Sequence, residues 1–187
     1  MTLRITGGEL RGRRLKSARG SGIRPTSERV RGAIFSIIGR DAVEGARVLD
    51  LYAGTGALGI EALSRGAAWA DFVESGRARC REIRDRLREL GLDDRSRVYA
   101  GKTLKVLGTL STAYDLVFAD PPYELDEWES IICLLESRGL VSEGGRVIAE
   151  HRSGVNPAEG YGGLRLTTSR RYGDTAVSIY IPEDING

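Results

Sequence analysis

With 187 residues, 41% of them apolar and 29% charged at a net charge of +2, the chain suffices for one domain with a substantial core. Its two cysteines, Cys80 and Cys133, form no CxxC or Cys/His cluster, and the single histidine, His151, excludes a His-rich metal site. No run approaches the ~18 apolar residues of a membrane span, and unpaired cysteines fit a cytoplasmic protein.

Residues 3–16 alternate around Gly7-Gly8 and predict a small β-hairpin, too short for a core of its own, which must pack on something or bind something. Residues 1–22 read as a basic extension carrying Arg4, Arg11, Arg13 and Arg14, and residues 23–187 as the main domain. Residues 1–40 hold ten basic side chains against Glu9 and Glu28, a net +8 that leaves −6 for the rest. A basic head on a mildly acidic body points to a polyanionic partner. After a Ser/Gly-rich loop at 17–23, Thr26 or Ser27 can cap a helix whose apolar face is Val30, Ile34, Ile37 and Ile38. Arg24, Arg29 and Arg31 are expected on its opposite face, as a phosphate-facing patch.

From Arg47 strands and helices alternate. Strands are predicted at 47–52, 70–74, 97–100, 114–119 and 145–150, and helices at 57–65, from after Glu74 to Leu90, at 103–110 and at 128–137. Cys80, Ile83, Leu87 and Leu90 form the buried stripe of the second of these helices, which ends at Gly91. Segments 164–169 and 175–181 flank a turn and predict an antiparallel hairpin. Such regular alternation implies an α/β fold with a mostly parallel, doubly wound sheet.

Two loops carry the chemistry. Between the first strand and helix of the alternating region lies Asp50-Leu-Tyr-Ala-Gly-Thr-Gly-Ala-Leu-Gly59, in which Gly54, Gly56 and Gly59 match GxGxxG. Glu74 closes the next strand about 20 residues on, as in a nucleotide fingerprint. Taken literally the pattern fits NAD, but two details favour S-adenosylmethionine. Asp50 sits close to the loop, suited to the amino acid part of that cofactor and poor beside a pyrophosphate. Nothing after Asp120 supplies the proton donor that hydride transfer would need. The second loop, Asp120-Pro-Pro-Tyr123, ends a buried strand with two prolines that cannot donate backbone hydrogen bonds. It offers a carboxylate, unpartnered carbonyls and an aromatic face, which suit a planar base with an exocyclic amine.

With these residues in view, the chain resembles the bacterial 16S rRNA guanine-N2 methyltransferases of the RsmD type. The likeness runs through Arg4-Ile-Thr-Gly-Gly8 with Gly12-Arg13, Arg24-Pro-Thr-Ser-Glu-Arg-Val-Arg31, Leu49 to Ala67, Asp120 to Tyr123 and Tyr172-Gly-Asp-Thr175. The resemblance implies a Rossmann-like class I methyltransferase fold: a seven-stranded, mostly parallel sheet whose last strand, 175–181, is antiparallel. It implies S-adenosylmethionine as cofactor, S-adenosylhomocysteine as product and no metal. The implied partner is 16S rRNA in the small ribosomal subunit or its late assembly intermediate, met by a monomer away from any membrane. Carried over residue by residue, Asp50, Tyr52, Ala53, Gly54, Thr55, Gly56, Glu74, Ser75 and Thr103 would meet the cofactor. Asp120, Pro121, Pro122 and Tyr123 would hold the target base. Arg4, Arg11, Arg13, Arg14, Arg24, Thr26, Arg29 and Arg31 would contact RNA. Two positions depart from the family pattern: Gly76 stands where an acidic residue is common, and Gly101-Lys102-Thr103 leaves the adenine contacts to the backbone or to Thr103. Three rival readings are a DNA amino-methyltransferase, for which the chain has no room for a target-recognition insertion, an NAD-dependent oxidoreductase, and a non-catalytic RNA-binding protein.

Overall fold

A computed structural model describes residues 2–16, 27–120, 127–155 and 157–183. The elements in chain order are β1 (Thr2–Arg4), β2 (Arg14–Lys16), α1 (Glu28–Ile38), β3 (Arg47–Leu51), α2 (Ala57–Ser64), β4 (Trp69–Glu74), α3 (Arg77–Leu90), β5 (Ser96–Ala100), α4 (Thr103–Leu107), β6 (Tyr114–Ala119), α5 (Trp128–Ser137), β7 (Val141–Arg152), β8 (Gly160–Tyr161), β9 (Leu164–Tyr172) and β10 (Thr175–Pro182). One sheet has the order β5-β4-β3-β6-β7-β10-β9-β8. Neighbours from β5 to β7 are parallel, and β10 runs antiparallel between β7 and β9. The strand count exceeds the expected seven because the two-residue β8 pairs with the start of β9 at the edge. β7 and β9 also run longer than their apolar cores suggest, because backbone pairing continues through polar residues.

The central strands read as apolar runs because helices cover both faces of the sheet. Val48, Phe72, Leu116, Phe118 and Ile148 point to one core, shared with Ile34 and Phe35 of α1, Ile60 and Leu63 of α2, and Ile83 and Leu87 of α3. Leu49, Leu51, Val73, Val117, Val147 and Ala149 point to the other, with Val106 and Leu107 of α4 and Ile131, Ile132 and Leu135 of α5. Strand alternation then decides where the acids go. Asp50, Glu74 and Glu150 each sit next to a residue of the second core, so all three leave the sheet on the first face, at the carboxyl ends of their strands.

The N-terminal hairpin forms, but its glycine pair is not its turn. Pairing runs from Thr2↔Lys16 to Arg4↔Arg14, so the connection spans residues 5–13. Gly7 and Gly8 are instead the docking point on α2. Ser64 Oγ donates to the Gly7 carbonyl at 2.7 Å, and the Glu9 N–H donates to the Ser64 carbonyl at 2.7 Å. A Cβ at Gly8 would fall 1.7 Å from that carbonyl oxygen, so only glycine permits the approach. Ile5 is 2% exposed and belongs to the first core. Ser27 caps α1, its Oγ accepting the Val30 N–H at 3.2 Å.

Candidate active site

The glycine loop leaves β3 through three residues in the left-handed region: Tyr52 (φ 56°), Gly54 (φ 54°) and Gly56 (φ 75°). Tyr52 is the one non-glycine residue with positive φ among those described, a strained conformation of the kind found at functional loops. Its hydroxyl donates to Glu127 Oε2 at 2.7 Å, and burial together with that carboxylate pushes its pKa up. The hydroxyl of Thr103, buried at the start of α4, is also hydrogen-bonded to the Tyr52 phenol. Ala53 ties the loop to β4 through its N–H on the Val73 carbonyl, at 3.0 Å. Gly56 caps α2, and a Cβ there would sit 3.3 Å from Ile83 Cγ2 as well as straining the backbone. A Cβ at Gly59 would fall 2.3 Å from the Phe72 ring, so the third glycine lets α2 lie directly on β4. At Gly54 a Cβ would meet nothing nearer than the Tyr52 carbonyl oxygen at 3.7 Å. The backbone there faces open space, which fits a ligand lying along the loop.

Three acids border this loop, and they are satisfied to different degrees. Glu74, 4% exposed, accepts the N–H groups of Gly54 (2.9 Å) and Gly76 (2.6 Å), and its Oε1 lies 3.2 Å from Arg79 Nη1. Ser75, exposed beside it, adds a longer contact at 3.5 Å. Asp50 lies beneath the loop, 3% exposed, where its Oδ2 accepts the Gly59 N–H at 2.9 Å. Burial raises its pKa to about 8, the Gly59 bond opposes the rise, and Asp120 and Glu74 add to it. Through the Gly59 N–H, Asp50 also braces β3 to the first turn of α2. Asp120 follows β6 and accepts no hydrogen bond from any described residue. Burial raises its pKa to about 7, and the nearby Glu150 carboxylate adds to the shift. Pro121, Pro122 and Tyr123 lie outside the described residues, as do Arg24 and Thr26.

Of the arginines expected to meet RNA, Arg4, Arg11, Arg13, Arg14 and Arg29 are exposed. Arg31 is a correction: it is 1% exposed, on the buried side of α1 with Val30 and Ile34. Its Nη2 donates to the Arg4 carbonyl, and its Nε lies 3.7 Å from Glu61 Oε2. Glu61 of α2, itself 1% exposed, also accepts the Thr6 N–H at 2.9 Å, the Thr6 hydroxyl at 2.7 Å and Arg65 Nε at 2.9 Å. The fourth residue of α1 thus clamps the hairpin to the helix that begins at the glycine loop.

Sequence reasoning passed over three residues that shape the site. Glu61 lies within the matched Leu49–Ala67 stretch, where no local signal marks it as the anchor of the hairpin. Arg86, 4% exposed on α3, donates to the Thr55 carbonyl at 2.8 Å and so pins the loop from above. Glu150 lies two residues before the end of β7, a strand whose register with β6 only the sheet reveals. A separate cleft of about 520 Å³, lined by Gly8, Phe35, Arg40, Ser64, Arg65 and Arg95 among others, lies at the far end of α2 and holds none of the site residues.

The arrangement of glycine loop, strand-end acids and inserted antiparallel strand invites comparison with known proteins. A family described as conserved hypothetical protein 95 matches residues 3–181. The Ribosomal RNA small subunit methyltransferase D of Escherichia coli is 37% identical over 148 residues, covering 79% of this chain and 74% of that protein. The chain belongs to the RsmD-type methyltransferase family. Bacillus subtilis YlbH is 35% identical over 181 residues, 95% of this chain and 98% of its own length. The solved structure of Escherichia coli yhhF, at 32% identity, covers 98% of this chain and 99% of its own with a TM-score of 0.86. Such coverage takes in the hairpin as well as the sheet of this RsmD-type chain.

Proposed function

We propose that this enzyme transfers a methyl group from S-adenosylmethionine to the exocyclic N2 of a guanine in 16S rRNA, acting on the small ribosomal subunit or a late assembly intermediate. One observation carries the reading: the Asp120 carboxylate stands beside the glycine loop, half-buried, with no hydrogen bond from a described residue. A half-buried acid whose pKa is raised by desolvation is well served by a ligand that supplies donors. A base amine is such a ligand.

When bound, S-adenosylmethionine supplies a methyl already activated by a positive sulfur, which the guanine N2 takes by in-line attack. The chain's task is position and polarisation. Glu74, fixed by Gly54 and Gly76, stands at the strand end where ribose hydroxyls are held in this fold. The N2 lone pair is conjugated with the purine ring, so N2 is a poor nucleophile until its two N–H bonds are held. Asp120 and the Pro121 carbonyl accept them and turn the lone pair toward the methyl, while Tyr123 stacks on the extruded base. The proton leaves after attack, from a nitrogen made strongly acidic, and no dedicated base is required. Arg4, Arg11, Arg13, Arg14 and Arg29 contact the rRNA phosphates around the site. Tritiated-methyl transfer to small subunits lacking this modification, with mapping of the labelled nucleotide, tests the reading. Label on a guanine N2 supports it; absence of label in RNA overturns it.

A further inference from the structure

Glu150 lies on the strand next to Asp120. The β6–β7 register pairs Phe118 with Ile148 and Ala119 with Ala149, so Glu150, the next residue of β7, and Asp120, the first residue after β6, come side by side. Adjacent strands lie about 4.8 Å apart, and the two carboxylates flank one narrow space. Glu150 pairs on its other side with Val177 of β10, in the middle of the sheet, and is 9% exposed. Alternation sends its side chain to the same face as Asp50 and Glu74. The charge of Glu150 is felt at Asp120, where it adds to the rise in pKa.

Two neighbouring carboxylates at the carboxyl end of the sheet repel each other, and Asp120 calls for an N–H donor. Nothing described supplies one to Asp120. Guanine has an edge of the matching kind, since N1–H and the two N2–H bonds are three donors side by side. Adenine and cytosine each place a ring lone pair beside their amine, which a carboxylate would repel. A carboxylate has about four acceptor positions, so Glu150 can take one base N–H alongside the contacts it makes within the protein.

We propose that Glu150 is a specificity-determining residue of the transfer site, accepting the N1–H of the target guanine while Asp120 holds its N2 amine. This rests on the guanine-N2 reading above. The amine is the reacting group in either case; Glu150 tests whether the ring nitrogen beside it carries a proton.

The probe is 2-aminopurine, which keeps the N2 amine but has an unprotonated N1. Small subunits are reconstituted with guanine or 2-aminopurine at the target position, and single-turnover methylation of each is measured. Wild-type enzyme should favour guanine by ~10² or more, since the wrong base leaves a buried acceptor facing a lone pair. Glu150→Gln can turn an amide N–H toward that lone pair, so the guanine rate should fall and the preference should shrink at least tenfold. Glu150→Asp, still an acceptor, should be slower on both bases and keep the preference. Affinity for S-adenosylmethionine should not move in either variant. Equal wild-type rates on the two bases overturn the proposal, as does a Glu150→Gln variant that slows both alike, the mark of a purely structural role. Failure of wild-type enzyme to methylate any guanine would instead overturn the underlying reading.

Discussion

Glu74 and Asp120 are both acids at the carboxyl ends of parallel strands, on opposite sides of β3, yet their surroundings differ sharply. The Glu74 carboxylate is met by two backbone N–H groups and a guanidinium; the Asp120 carboxylate is met by no donor from a described residue and feels the field of Glu150. Asp50 stands between them in place and in kind, with one backbone donor and a pKa of about 8. On the function proposed above, the cofactor side has its acid satisfied by described residues. On the same proposal, Asp120, which no described residue meets with a donor, would take one from the substrate. An enzyme that must hold a small cofactor continually and meet a large RNA briefly has reason to divide its polar satisfaction in this way.

The largest expected effect lies on the cofactor side. Gly56→Val strains a left-handed backbone and drives a branched side chain toward Ile83 and Ile60. Calorimetry should show S-adenosylmethionine binding abolished while the sheet remains folded by circular dichroism. Unchanged affinity would remove the loop from the site.

Next comes Asp120. Asp120→Ala should lower single-turnover methylation by ~10²-fold or more with little change in cofactor affinity. Wild-type activity should fall as pH drops through about 7, because the acceptor must be ionised. Stability follows the opposite course. A carboxyl whose folded pKa is raised contributes most when protonated, and that contribution is lost as pH rises through about 7. Asp120→Asn should therefore be inactive yet melt higher than wild type at pH 8, with the difference vanishing near pH 4. A variant that melts lower at pH 8 would break the contrast with Glu74.

The basic head repeats the division on a smaller scale. Arg31→Ala removes the buried donor to the Arg4 carbonyl, leaves Arg65 as the remaining guanidinium beside Glu61, and should cost roughly 2 kcal/mol in denaturant unfolding. Arg29→Ala, two residues earlier and exposed, should cost almost nothing there. It should instead flatten the salt dependence of RNA binding, by ~0.7 to 0.9 in log–log slope for the lost phosphate contact. If Arg29→Ala leaves that slope intact, its side chain is merely solvated.

Much of this was legible in the sequence. The strand–helix alternation, the stripe of α3 and the Gly54-x-Gly56-x-x-Gly59 loop follow from short-range periodicity and spacing, which the chain states locally. Arg31 was not, because its surroundings are the Arg4 carbonyl and Glu61, 27 residues before it and 30 after. Grouping it with Arg29 ignored the helical period: residues two apart point to opposite sides, and Arg31 shares the stripe of Ile34 and Ile38. Gly7-Gly8 misled for a related reason: paired glycines signal a turn, whereas here they make way for the end of α2. Glu150 was invisible because its meaning depends on the neighbour that β6 provides.

The position of β10 has a consequence for how the molecule is made. It is the last strand in chain order, yet it sits inside the sheet, bonded to β7 on one side and β9 on the other. Until residues 175–182 have been synthesised, β7 presents an open edge and β9 has lost its partner on that side. The half-sheet bearing Glu150 therefore closes only after nearly everything else has formed. Folding of this chain should be slow to commit and paced by long-range contacts. Mutations that weaken β10 should show first as aggregation during expression, before any loss in the finished enzyme's activity.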